Sequence, residues 1–241
     1  MRHSPIQILI VLAVLAIGCT RTLEIEQVDP FVTPKAVLRS TVKVVALAEV
    51  AVPDGMQDPA PVKRELDGLI EGRLRGAGFS VIRPQEYEGV WNEVVAELDG
   101  LADPETGERD NGKVTTAMFR TIDRLKAEFD LDAVLIPSVA VVEASFATGR
   151  AYWDGTTQSI RTGSIVRGFL AGSPEGKVGA LSLRVTLHAE SGDTLYSAAG
   201  GIEVLSKLDG KEFVLVPRQE LLTDSQKLRN AVRIALDPLA Q

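Results

Sequence analysis

"LSLRVTLHAESGDTLYSAAGGIEVL", Leu181 to Leu205, is the stretch that decides the fold. Leu181, Leu183, Val185 and Leu187 fall on one side of an extended chain, and Ser182, Arg184, Thr186 and His188 fall on the other. That period of two marks a strand with one buried face. Ser191-Gly192-Asp193 turns the chain and "TLYSAAGGIEVL" returns. The result is an antiparallel hairpin with one side on a core and one toward water.

Upstream, "DLDAVLIPSVAVVEASF" gives a long strand from Ala133 to Ala144, first wholly apolar and then alternating. In "RAYWDGTT", Asp154-Gly155 is a two-residue hairpin signal of the primed type. It predicts antiparallel pairing of Ala140–Tyr152 with Thr156–Val166. Trp153 beside that turn has two readings. It either stands exposed at the tip as an anchor for a partner, with Asp154 and Gly155 in the same contact, or folds back over the sheet to cover core. Tyr152 and Trp153 point to opposite faces, so one of them is buried. "RGFLAGSPEGKVG" is a glycine-rich connection, and "EFVLVP" offers an edge strand ended by Pro217.

The N-terminal half reads differently. "TVKVVALAEVAV" (Thr41–Val52) is a β-branched strand, broken by "PDGMQDPAP". Val62, Leu66, Leu69, Ile70, Leu74 and Ala77 then lay one apolar stripe on a helix, which Gly76 and Gly78 end. "FSVIRP" is a short strand. A helix over 85–98 follows, with Tyr87, Val90, Trp91, Val94, Val95 and Leu98 in line. After the polar loop Gly100–Lys113, Asp110 or Asn111 caps a helix running to Phe129 through Val114, Met118, Ile122 and Leu125. Thr223 or Asp224 starts a last helix to about Leu236, with Leu228, Val232 and Ala235 or Leu236 inward. Mixed βα units followed by hairpins predict one α+β domain over 41–241: a mixed, largely antiparallel sheet with helices packed on it.

The chain also opens on a signal. "ILIVLAVLAIGCTRT" (Ile8–Thr22) follows Arg2 and His3, is too short to span a bilayer, and ends in small residues and the one cysteine of the chain. "LAIGC" (Leu15–Cys19) resembles the lipobox of bacterial lipoproteins. That resemblance implies a signal peptide over 1–18, acylation of Cys19 and a lipidated tether over 19–40. Thr20 in place of aspartate implies the outer membrane, with the domain facing the periplasm. Several acyl chains anchor durably, where one alone does not. With Cys19 acylated, no thiol remains for a disulfide.

Composition narrows the function. The 241 residues are 45% hydrophobic and 24% charged, as in an ordinary globular protein. The formal charge of −7 becomes about −8 once Arg2 leaves. An acidic chain has no general affinity for nucleic acid and no net attraction to anionic lipid. Aromatics at 5% argue against a carbohydrate cleft.

Catalytic and metal patterns are missing. His188 is the one histidine of the mature chain and sits on the polar face of a strand, whereas histidine metal sites need several ligands. Neither Ser164 nor Ser173 has the glycines of a nucleophile elbow. "AGSPEGKV" has Ala171 where a phosphate loop needs its first glycine and Val178 where it needs a hydroxyl. Asp103, Glu105 and Glu108 do not follow calcium-loop spacing. Glu86/Glu88 and Glu105/Glu108 lie in solvated stretches, which disfavours glycosidase chemistry. No catalytic residue, cofactor or metal is expected.

Three pieces carry a further resemblance: "VKVVALAEV" leading to "KRELDGLIEGRLRGAGFSVI", then "FDLDAVLIPSV", then "SLRVTLHAESGDTLYSA". Together, over roughly 41–239, they resemble the domain shared by the curli secretion lipoprotein, the N-terminal domain of the Tol-system propeller protein and the lipoprotein activators of peptidoglycan synthases. The resemblance implies a non-enzymatic protein that binds an envelope protein partner or forms homo-oligomers. Two departures stand out. The stretch 84–112 is longer than the pattern needs. "TTQSIRTGSIV" (Thr156–Val166) carries Arg161 and lacks the lipid-facing alternation of a pore hairpin. The expected role is an accessory or interaction factor in envelope assembly or secretion. The alternatives are an oligomeric export pore component and an unrecognised periplasmic hydrolase.

Overall fold

The computed structural model describes residues 29–54, 58–162, 175–210 and 212–240. The signal segment, Cys19, most of the tether and the connection over 163–174 lie outside the described residues. In chain order the elements are α1 (Lys35–Thr41), β1 (Val44–Leu47), α2 (Ala60–Gly76), β2 (Ser80–Ile82), α3 (Pro84–Glu97), α4 (Asn111–Phe129), β3 (Ala133–Ala147), β4 (Arg150–Trp153), β5 (Thr156–Ser159), β6 (Gly176–Ala189), β7 (Thr194–Val204), β8 (Ser206–Asp209), β9 (Glu212–Leu215) and α5 (Ser225–Ala240). The fold is α+β, with a mixed, mostly antiparallel sheet.

β3 holds the sheet together because it is long enough to serve several partners. β6 pairs antiparallel along one whole edge of it, from Ala133↔Ala189 to Phe146↔Gly176. The other edge is shared. β1 lies parallel to its start, Val45↔Ala133 to Leu47↔Leu135, and β4 lies antiparallel to its end, Ser145↔Tyr152 to Ala147↔Arg150. β2 flanks β1 in parallel, and β7 flanks β6.

Period-two alternation sorts the side chains into layers. On one face, Leu135, Val139, Leu183, Val185 and Leu187 meet α2 and α5 in the main core. On the other face, Ala46, Ile82 and Val134 meet α3 and α4 through Ile122 and Leu125. Further along that second face, β4 and β5 curl over and enclose Ala144, Phe146, Trp153, Ile160, Val178 and Val204.

Several expectations need correction. The helical stripe on α4 does not take Met118 inward. It is 41% exposed, and Val114, Ala117, Thr121, Ile122 and Leu125 form the buried face instead. The single hairpin expected over Ala140–Val166 is two. Thr148-Gly149 makes an extra turn with φ of 52° and 79°, so residues up to Ala147 stay in β3, and Asp154-Gly155 joins only β4 to β5. "EFVLVP" pairs with β8 in a separate two-stranded sheet and does not edge the main one. The tether ends sooner than residue 40: Phe31 bridges Tyr196 and stacks edge-on with its ring at 5.1 Å, and α1 buries Leu38 completely. Two helical turns bounded by Pro34 are too short to show a period.

α5 sits on β7 at unusually close range. Tyr196 is fully buried and its hydroxyl donates to the Ala235 carbonyl at 2.6 Å. Gly200 faces the helix, and a Cβ there would overlap the Ala231 carbonyl. Its neighbour Gly201 faces the opposite way, where a Cβ would lie 2.6 Å from Trp153 Nε1 and 2.7 Å from Thr156 Cβ. Gly200→Ala and Gly201→Ala should each destabilise by about 1–3 kcal/mol or more, as overpacking against backbone or a buried ring does. Urea denaturation checks both. A variant within error of wild type at either position would contradict the close approach.

Candidate functional site

The sequence placed its partner contact at Trp153, Asp154 and Gly155, and the structure buries Trp153 while Asp154 is half-buried and Gly155 exposed. Trp153 is 5% exposed, and its indole N–H donates to the Leu181 carbonyl at 3.2 Å. It is a core residue, so the exposed-anchor reading is withdrawn for it. The Asp154 carboxylate accepts from Ser182 Oγ at 2.5 Å, and the Asp154 carbonyl accepts the Gly201 N–H at 3.0 Å. Gly155 has φ of 70°, and a Cβ on it would lie 2.8 Å from Ile234 Cγ2 in α5. The turn is therefore clamped on β6, β7 and α5. Gln158 completes the clamp: its amide donates to the Ile202 carbonyl and its Oε1 accepts the Val204 N–H.

Curling the hairpin over one face leaves a gap in the sheet on the shared edge of β3. Pairing with the first segment ends where Ala51 bridges Ser138, with the Val139 N–H donating to the Ala51 carbonyl at 2.7 Å. Pairing with β4 begins at Ser145. Between them, no strand among the described residues covers this edge. Backbone groups of alternate residues point the same way, so Val141 and Glu143 aim their N–H and C=O into the gap. Val141 is 60% exposed in mid-strand.

An apolar cavity of about 220 Å³ adjoins this gap, lined by Pro53, Val141, Leu181, Leu205, Leu221 and Leu222, with Asp54 and Arg218 at its polar margin. Leu222 adopts a left-handed φ of 59°, which a branched side chain rarely does. Glu203 fixes it there. That carboxylate is 4% exposed, accepts the Leu222 N–H, and accepts from Lys227 Nζ at 2.8 Å. The cavity wall is thus held by a buried, paired charge. Nearby, β9 exposes Phe213, Val214 and Leu215, the last at 77%.

A second cluster lies where β1 ends. Asp67 on α2 is buried and accepts the Val50 N–H at 3.1 Å. Burial, with the carboxylates of Glu49 and Glu88 nearby, pushes its pKa up to about 6 against the lowering effect of the Val50 hydrogen bond and Lys63. Burial and Glu49 also raise Glu88. Lys63 pairs with Glu49. Among the described residues no group of His, Cys, Asp and Glu side chains is arranged to hold a metal ion. His188 lies apart, its Nδ1 3.3 Å from the Gly192 carbonyl in its own turn. The acidic loop 103–108 is a local turn in which Asp103 accepts the N–H groups of Glu105 and Thr106. Asp110 caps α4 through the N–H groups of Gly112 and Lys113. No helix of the described residues is long and apolar enough to cross a membrane.

No family model matches the chain, and no curated protein matches it. Among solved structures, two of a PelC dodecamer from Paraburkholderia phytofirmans, one of them a point variant, align with it. They are 13% identical, cover 83% of this chain and 89–90% of theirs, and give TM-scores of 0.36 and 0.35. At that distance the likeness assigns neither family nor function.

Asp67 yields a pH prediction. Its folded pKa is raised, so between pH 4 and pH 6 the folded state holds the proton more tightly than the unfolded state, and stability from this group falls as pH rises through that window. Asp67→Asn keeps an acceptor for the Val50 N–H and removes the titration. Melting from pH 4.5 to 7 should show the wild type losing ground to the variant. Parallel curves would mean that Asp67 does not titrate there.

Proposed function

We propose that this chain is a lipid-anchored, non-enzymatic adaptor of the bacterial outer membrane, facing the periplasm. It receives an extended segment of an envelope protein along the open edge of β3. The carrying observation is the gap at Val141 and Glu143 beside the apolar cavity. Unpaired strand edges recruit another backbone, and an adjoining cavity gives side-chain selectivity. A second strand in the gap would satisfy the backbone groups of both residues and place an apolar side chain against Leu181 and Leu222. The lipobox-like "LAIGC" and the resemblance to envelope lipoprotein domains support the anchor and the compartment.

Val141→Pro is a selective test. Proline removes one N–H, and at Val141 that N–H points into the gap rather than toward β6, a place where strands tolerate proline. Cross-linked capture from intact envelopes should yield a discrete partner with the wild type. The variant, at unchanged melting temperature, should lose most of it. Undiminished capture would remove the β3 edge as the contact.

One observation favours a second reading, a homo-oligomeric export component. β9 exposes three consecutive apolar residues on a two-stranded sheet, a surface that invites self-association. In that case the detergent-extracted particle has a multiple of the monomer mass, and Leu215→Lys lowers it. A monomeric particle would dispose of this reading.

A further inference from the structure

Charge is segregated where the folded chain begins. From Pro30 to Ala48 there are three cations, Lys35, Arg39 and Lys43, and no carboxylate, in a protein of formal charge −7. Carboxylates border this segment: Asp29 accepts the Phe31 N–H, Asp132 accepts the N–H groups of Lys43 and Val44, and Asp130 and Glu190, the latter paired with Lys126, line a pocket beside Thr41 and Val42. Arg39 is anchored on the Ala77 carbonyl and over the Phe79 ring. Lys35 lies 5.5 Å from the Phe31 ring centroid, and Lys43 donates to the Arg39 carbonyl while remaining exposed.

Apolar exposure coincides with this charge. Val32 is 66% exposed and Val37 47%, and Pro34 and Ala36 between them are exposed as well. Leu38 alone faces the core from α1. Exposed small apolar side chains flanked by Lys35 and Lys43 can meet phosphate headgroups over acyl chains.

The short tether keeps this end of the domain close to the bilayer. Only the ten residues 20–29 separate Cys19 from Pro30. Fully extended they reach at most about 35 Å. We infer that the face formed by Val32, Pro34, Ala36 and Val37, with Lys35 and Lys43, rests on the bilayer surface and orients the domain with α1 toward lipid. This rests on acylation of Cys19. It adds an orientation to the anchor: the protein docks by one face and does not swing freely on its tether.

The test uses the full processed chain in vesicles of phosphatidylethanolamine and phosphatidylglycerol. Acylation occupies Cys19, so a single new cysteine takes an environment-sensitive fluorophore. Val37→Cys reports on the proposed face. Glu105→Cys reports from beyond the opposite end of α4, a helix about 28 Å long. Intact mass establishes acylation, and melting establishes the fold of each variant. The label at residue 37 should be quenched by aqueous iodide several-fold less than the label at residue 105. Lys35→Glu combined with Lys43→Glu should shrink the difference. Equal quenching on an acylated, vesicle-bound protein would overturn the docked face and leave the anchor standing. A mass without acyl chains would overturn the anchor, and the docked face with it.

Discussion

Two adjacent glycines on one strand set the geometry of this domain. Gly200 lets the backbone of α5 approach β7 from one side, and Gly201 lets Trp153 and Thr156 approach from the other. Successive residues of a strand face opposite ways, so neighbouring positions can serve two layers at once. A side chain at the first would push away the helix that closes the main core. A side chain at the second would push away the hairpin that covers the smaller one. Tyr196 and Gln158 reinforce the two approaches with hydrogen bonds to Ala235 and to Ile202 and Val204.

The open edge follows from the same arrangement. β3 has fifteen residues, and the two strands sharing its outer edge have four each. Once β4 and β5 are drawn across the face toward Gly201, they cover only the far end of β3, and β1 covers only the start. The uncovered middle is where an apolar cavity lies and where Glu203 holds Leu222 in a conformation it would not choose alone. An exposed valine, a stretch of backbone that no strand among the described residues pairs, and a wall held by a buried charge meet at one place. A tight inner clamp and a receptive outer edge are thus two results of one folding choice.

Much of this was legible in the sequence, because periodicity is local. The inward face of Leu181 to Leu187, the stripe on α2, the Asp154-Gly155 turn and the helix capped by Asp110 read correctly from residues within a few positions of each other, whereas Ser182, expected to face water, is fully buried and donates to Asp154. The α+β class followed from their order. The turn at Thr148-Gly149 escaped because threonine carries little turn signal, which merged two hairpins into one. α1 escaped because two turns cannot display a period. The burial of Trp153 depends on Gly201, 48 positions away, and the only local hint was "AAGG", small residues where a strand expects bulk. The cavity was not legible at all. Pro53, Val141, Leu181, Leu205 and Leu221 come from separate elements, and each looks like an ordinary core residue on its own.

Residue-resolved amide exchange of the isolated protein tests the open edge most directly. The N–H groups of Val141 and Glu143 should exchange quickly, while those of Ala140, Val142 and Ala144, which face β6, should exchange slowly. An alternation of that kind within one strand means that β3 is paired on one side and vacant on the other. Uniform protection from Val139 to Ala144 would mean that the edge is already occupied, and the proposed contact would have no place to form.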